Sequence, residues 1–89
     1  MSDISRQDLI ADIAQSLQCP VQEVPGDLRD FQLEKALGYS KGTAAVKRTR
    51  GDMPIPSYKA GKTRRTPLAA VIEFKMAQIQ QQYLEMEAA

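Results

Sequence analysis

Residues 50–65 read RGDMPIPSYKAGKTRR and contain the strongest structural signals of the chain. Pro54 and Pro56 lack backbone donors and fix an extended backbone, so this part cannot lie inside a helix. Two short runs, 57–59 and 63–65, flank a turn that contains Gly61. This order predicts a β-hairpin that is rich in lysine and arginine.

Two short helices are expected before this hairpin. Apolar residues at helical spacing predict a first helix that begins at Asp27 or Asp30 and ends at Gly38: Leu28, Phe31, Leu33, Ala36 and Leu37. A second helix is expected over Lys41 to Thr49, with Ser40 as its N-cap and a glycine after its end. Two helices joined by a turn of about three residues that includes glycine form a helix-turn-helix.

Further helices are expected on both sides of this unit. Ser5 to Gln18 repeats apolar residues with a helical period, and Ser5 with Asp8 resembles a capping box. Cys19-Pro20 should end that helix, and residues 20–26 have the composition of a connector. Thr66-Pro67 predicts the start of a last helix, with threonine as its N-cap, that runs nearly to the end of the chain.

The chain is therefore predicted to be mostly α-helical with a small β-hairpin. We expect a winged helix-turn-helix over 27–75, in which the hairpin is the wing. An N-terminal helix and connector are expected over 1–26. A C-terminal helix extension is expected over 76–89, where it would mediate oligomerisation.

Composition excludes several functional classes. Eighty-nine residues suffice for one small domain. The absence of histidine and the single cysteine, Cys19, exclude histidine-based catalysis, zinc sites of the Cys/His type and an internal disulfide. We expect a protein that is not an enzyme and that uses no cofactor, metal or small-molecule substrate. The sequence lacks a run of eighteen apolar residues and a signal-peptide pattern, which predicts a cytoplasmic protein without a membrane partner.

The net charge of +1 conceals a strong asymmetry along the chain. Residues 40–65 carry eight basic side chains against Asp52 alone, a net charge of +7, and the remainder carries −6. A segment this basic is suited to a polyanion. A solvated basic loop is the alternative interpretation of the same residues.

In a winged helix-turn-helix these residues would face duplex DNA. The second helix enters the major groove, and the hairpin reaches the backbone or the neighbouring minor groove. Lysine and arginine bind phosphates or the acceptors of guanine, and hydroxyls bind phosphates or bases. The predicted DNA-binding residues are Ser40, Lys41, Thr43, Lys47, Arg48 and Arg50 around the second helix, and Lys59, Lys62, Arg64 and Arg65 in the hairpin. Among them, Lys47 or Arg48 is expected to read a base.

From Phe31 to Phe74 the order of elements resembles the excisionase and MerR-like winged helix-turn-helix family. Residues 50–65 are similar to its pattern of basic residue, glycine, proline, short strand, glycine turn and basic residues, and Leu37-Gly38-Tyr39-Ser40 matches its helix–helix turn. The resemblance implies a phage or mobile-element protein that binds double-stranded DNA as an excisionase or transcriptional regulator. An integrase or RNA polymerase is the protein partner that such a role would involve.

Two positions depart from the family pattern. Glu34, four residues before the turn glycine, stands where the family has a small residue. Lys47 stands where the family has an apolar residue, and Val46 precedes it by one position.

The last helix carries an apolar stripe beyond the part that is needed to close the domain. Its members recur at spacings of three and four, which places them on one face: Met76, Ile79, Tyr83 and Met86. We expect this stripe to mediate a homodimer or a cooperative assembly on DNA. Alternatively it receives the N-terminal helix of the same chain, because Ile10, Ile13 and Leu17 also need a partner.

Two functions therefore compete. The first is a sequence-specific double-stranded DNA-binding protein. The second is a small interaction or inhibitor protein whose basic face blocks a nucleic-acid site on a larger complex. A binding selection from a random duplex pool separates them, because only the first enriches one short sequence.

Overall fold

A computed structural model describes residues 5–88 of the chain. Residues 1–4 and 89 lie outside the described part. The outer ends of the predicted segments 1–26 and 76–89 therefore lie outside it. So do the first four residues of the N-terminal stretch that lacks a signal-peptide pattern.

The described chain contains four α-helices and one three-stranded antiparallel sheet. In chain order the elements are α1 (Arg6–Leu17), β1 (Asp27–Arg29), α2 (Asp30–Leu37), α3 (Thr43–Arg50), β2 (Tyr58–Ala60), β3 (Thr63–Pro67) and α4 (Leu68–Ala88). A short 3-10 turn, Val21–Glu23, lies in the connector between α1 and β1. The fold is thus mixed α/β rather than mostly α with a hairpin.

The start of α1 follows the sequence prediction. The Asp8 amide donates to Ser5 Oγ at 3.2 Å, and the Ser5 amide donates to Asp8 Oδ2 at 3.0 Å. This reciprocal capping box satisfies two amides that the helix itself cannot pair. At the other end of α1, Gln18 adopts a left-handed conformation (φ 58°) just before Cys19-Pro20.

The hairpin was predicted correctly, but the third strand was not. β2 pairs with β3 across a turn in which Gly61 has a positive φ of 65°, the conformation for which glycine is favoured. β1 pairs with the other edge of β3, with Leu28 opposite Thr66. A strand of three residues is too short to show an alternating pattern. The helix begins at Asp30, the second of the two predicted starts, so Leu28 lies in β1 and not in the helix.

Two predicted helix starts are wrong. The second helix of the pair begins at Thr43 rather than Lys41, with Gly42 and not Ser40 at the N-cap. The last helix begins at Leu68, because Thr66 and Pro67 belong to β3. Pairing with β1 extends that strand, and the Leu68 amide then donates to the Gly26 carbonyl at 2.8 Å.

All of the helices contribute to a single hydrophobic core. Its buried members are Leu9, Ile13, Leu28, Leu33, Ala36, Ala44, Ile55, Val71 and Ile72. The N-terminal helix therefore packs on the same core as the rest of the domain. The contact between α1 and α4 is reinforced by an ion pair between Lys75 Nζ and Asp12 Oδ2 at 3.1 Å.

Candidate nucleic-acid interface

A five-residue turn, 38–42, joins α2 to α3. Gly38 (φ 73°) ends α2, and the Tyr39 amide donates to the Glu34 carbonyl at 2.8 Å. Gly42 (φ 87°) precedes α3. Glycine at both ends lets the backbone adopt left-handed conformations that side chains disfavour, so the chain can change direction within this short span. The hydroxyls of Ser40, in the turn, and Thr43, the first residue of α3, lie 2.8 Å apart.

A buried carboxylate from α2 caps the N-terminus of α3. The Glu34 side chain is 7% exposed, and its Oε2 accepts a hydrogen bond from the Ala44 amide at 3.0 Å. That amide is one of the four at a helix start that have no partner within the helix. The position where the sequence departs from the family pattern thus supplies the cap that Ser40 was expected to provide.

A second polar contact fastens the last turn of α3 to the start of α2. Arg48 donates from Nη1 and Nη2 to the two Asp30 carboxylate oxygens at 2.9 and 2.8 Å. This bidentate hydrogen bonding raises the pKa of Arg48 above its ordinary value, although partial burial acts in the opposite direction. The guanidinium is therefore turned towards α2.

Lys47 is also engaged within the domain. Its Nζ lies 5.4 Å from the centroid of the Tyr39 ring, within the range of a cation–π contact. Lys47 is half-buried, and its charge remains near the turn that precedes α3.

The solvent face of α3 includes side chains that were not among the predicted DNA-binding residues. Ala45, Val46, Thr49 and Arg50 are exposed, while Ala44 is fully buried against α2. An open depression of about 390 Å³ beside this face is lined by Lys41, Thr43, Val46, Lys47 and Arg50, among others. Ala45, Val46 and Thr49 were not predicted, because a charge pattern identifies lysine and arginine and not small uncharged side chains. Their exposure follows from the burial of Ala44, which sets the rotation of α3 against α2 and is seen only in the structure.

The hairpin carries the second group of predicted DNA-binding residues. Lys59 and Lys62 are exposed, and Arg64 and Arg65 are half-buried in β3. Lys59 pairs with Arg64 across the strands, and Tyr58 pairs with Arg65. These four cations therefore occupy both faces of a narrow ribbon, with Lys62 in its turn.

The pairing of β1 with β3 adds a cation that the sequence analysis missed. Arg29 lies directly opposite Arg65 on the neighbouring strand. Like charges at such positions repel, and an anion bound between them would relieve the repulsion. Asp27 lies at the other end of β1, and its carboxylate raises the pKa of Tyr58 above its ordinary value. Only the strand pairing reveals Arg29, since it lies outside the basic segment.

The predicted oligomerisation stripe is divided between the core and the solvent. Met76 and Ile79 are half-buried and pack against the core. Tyr83 and Met86 are 39% and 70% exposed, and every residue from 80 to 87 is exposed. The last two turns of α4 therefore project beyond the domain.

Within residues 5–88, no group of three or more histidine, cysteine, aspartate or glutamate side chains is arranged to hold a metal ion. None of the helices in this range combines the length and the apolar character that are needed to cross a membrane.

Comparison with protein-family models, with curated proteins and with solved structures gave no match to this chain.

Proposed function

We propose that the protein binds double-stranded DNA sequence-specifically as a winged helix-turn-helix. In this proposal α3 enters the major groove, and the β2–β3 hairpin is the wing that contacts the backbone or a minor groove. Its biological role is that of a phage or mobile-element excisionase or transcriptional regulator.

The observation that carries the proposal is the attachment of α3 to α2. Glu34 caps one end of α3, and Asp30 holds Arg48 near the other, so α3 is fixed with one face open to solvent. A short helix that is held this firmly can enter a groove without further ordering, which lowers the entropic cost of binding.

Charge supports the same assignment. Of the eight cations in residues 40–65, Arg48 alone forms an ion pair within the described chain. Lys41 and Arg50 are exposed beside the solvent face of α3, and Lys59 and Lys62 are exposed on the hairpin. Cations that lack a carboxylate partner are available to neutralise phosphates.

The geometry changes the roles of two predicted base contacts. We assign Arg48 to holding α3 on α2, since both of its terminal nitrogens are already bonded to Asp30. We assign Lys47 to the edge of the interface. Because it contacts Tyr39, we expect it to bind the DNA backbone and not a base.

We also propose that the projecting end of α4 joins two copies of the chain. Tyr83 and Met86 continue the apolar stripe past the point where it packs against the core. A two-fold pair would present two α3 helices to half-sites about one helical turn apart. It would also enlarge the otherwise modest interface of a single small module.

The test of the function is selection of binding sites from a random duplex pool with the full chain. We expect enrichment of one short sequence, and loss of that enrichment in the double variant Lys41→Ala with Arg50→Ala, whose side chains are exposed. An unenriched pool, combined with binding to a protein bait, would overturn the proposal in favour of an inhibitor.

A further inference from the structure

The centre of the solvent face of α3 carries methyl groups. Successive residues of an α-helix are about 100° apart, so Val46 lies nearly opposite Ala44 and Arg48, which face α2. Val46 is 48% exposed. Ala45 and Thr49 are exposed on one side of Val46. A groove into which α3 docks by this face would meet Val46 first.

Within residues 44–49 of α3, the groups that could form bidentate bonds to a base are committed elsewhere. Arg48 is bonded to Asp30, and Lys47 lies over Tyr39. The Thr49 hydroxyl donates to the Ala45 carbonyl at 3.0 Å, so its hydrogen is used within the helix. Val46 and Ala45 have no side-chain donor or acceptor. Bidentate hydrogen bonding is therefore not the means by which the middle of α3 can distinguish one base from another.

The flanks of this apolar centre are cationic. Lys41 precedes α3 and Arg50 ends it, and both line the depression that also contains Val46. Cations on either side of a groove pair with the phosphates of its two walls. With the flanks fixed in this way, Val46 would face the floor of the major groove, where the C5-methyl of thymine is the apolar group on the base edges.

We infer that α3 recognises A·T base pairs through the C5-methyl group of thymine, with Val46 as the main contact and Ala45 and Thr49 beside it. This inference rests on the proposed DNA-binding function and names the feature of the sequence that α3 reads. Val46 is thereby a specificity-determining residue, whereas Lys41 and Arg50 supply affinity.

The experiment removes the methyl groups from the DNA. Once a site has been selected with the full chain, each thymine is replaced singly by deoxyuridine, which keeps the base pair and loses only the methyl. Burial of one methyl contributes about a fourfold difference in affinity. We expect the dissociation constant to rise about fourfold at one or two thymines under α3 and to stay unchanged at the others.

The variants Val46→Ala and Lys59→Ala complete the test. Val46→Ala should bind the thymine and deoxyuridine duplexes nearly equally, and it should fold, because the side chain is exposed and alanine favours a helix. Lys59→Ala, in the hairpin, should weaken binding to both duplexes by the same factor. Its ratio of the two dissociation constants should therefore remain that of the wild type.

The possible failures are distinguishable. A pool without an enriched sequence overturns the DNA-binding proposal itself. An enriched site that consists of G·C pairs, or one that tolerates deoxyuridine at every thymine, overturns the thymine inference alone. A Val46→Ala variant that keeps the full penalty for deoxyuridine also overturns it, because another residue must then contact the methyl group.

Discussion

Glu34 shows how one buried side chain can determine the placement of a whole helix. A carboxylate that is 7% exposed requires hydrogen bonds, and the Ala44 amide supplies one of them. The same amide lies at the positive end of the α3 dipole, which favours a negative charge. The contact therefore satisfies the donor and the acceptor together, and loss of either one leaves the other buried without a partner.

Substitution of Glu34 should destabilise the protein in a graded order. Glu34→Ala leaves the Ala44 amide without an acceptor and should lower the free energy of unfolding by about 1–3 kcal/mol. Glu34→Gln keeps an oxygen acceptor and should cost less. Urea denaturation followed by circular dichroism measures both. Glu73→Ala, at an exposed position of α4, is the control and should change stability by less than about 0.5 kcal/mol. Equal losses for the alanine and glutamine variants would contradict the capping role.

Arg48 and Asp30 should behave as one unit. We expect Arg48→Ala and Asp30→Ala each to lower the free energy of unfolding by about 1 kcal/mol, since both side chains are partly exposed. The double variant should lose little more than either single variant, because the same contact is absent in all three. Urea denaturation of the wild type, the two single variants and the double variant gives the double-mutant cycle that measures this coupling. On a selected duplex, Arg48→Ala should keep the wild-type site preference; a changed preference would restore Arg48 as a base contact.

The hairpin should contribute more to the affinity for DNA than to sequence specificity. Lys59 and Lys62 are exposed, and neither position carries a side chain suited to bidentate recognition of adenine. Each alanine variant should reduce the slope of log affinity against log salt by about 0.9 and weaken binding to all sequences alike. Fluorescence anisotropy over a salt series measures the slope. Arg6→Ala removes an exposed cation of α1 and should leave it unchanged. A slope that is unaffected by the hairpin variants would place the hairpin outside the interface.

The elements also show what the sequence could and could not predict. Local signals located α1, the glycine that ends α2 and the hairpin turn, because each depends on residues a few positions apart. β1 was missed because it exists only through pairing with β3, far along the chain. The start of α3 was misplaced for a similar reason. Its cap comes from Glu34, ten residues before Ala44, and not from the adjacent Ser40.

The candidate site was predicted in composition but not in orientation. The basic residues of the hairpin lie on β2, β3 and their turn, where the pattern placed them. Around α3, the sequence identified the cations but could not show that Arg48 is bonded to Asp30. Nor could it identify Val46 as exposed, since that depends on how α3 is rotated against α2.

The projecting end of α4 should determine the oligomeric state. Two copies that bury Tyr83 and Met86 against each other should form a dimer at micromolar concentration. The double variant Tyr83→Asp with Met86→Asp should be monomeric yet folded, because both side chains are exposed in the single chain. Gln81→Asp, on the opposite face of α4, is the control and should remain dimeric. Analytical ultracentrifugation measures the oligomeric state of each protein. A wild-type chain that is monomeric at high micromolar concentration would contradict the dimer.

The position of β3 in the middle of the sheet has a consequence for motion. One end of this strand is held by Leu28 and the fully buried Thr66, whereas the other ends at the exposed turn around Gly61. Amide hydrogens should therefore exchange with deuterium slowly near Thr66 and rapidly towards Thr63, a gradient that mass spectrometry of short peptides can follow. A strand with one anchored end can bend at the other end. In the proposed complex with DNA, such bending would let the tip of the hairpin follow sugar-phosphate backbones of different curvature, while the anchored end keeps the helices in place.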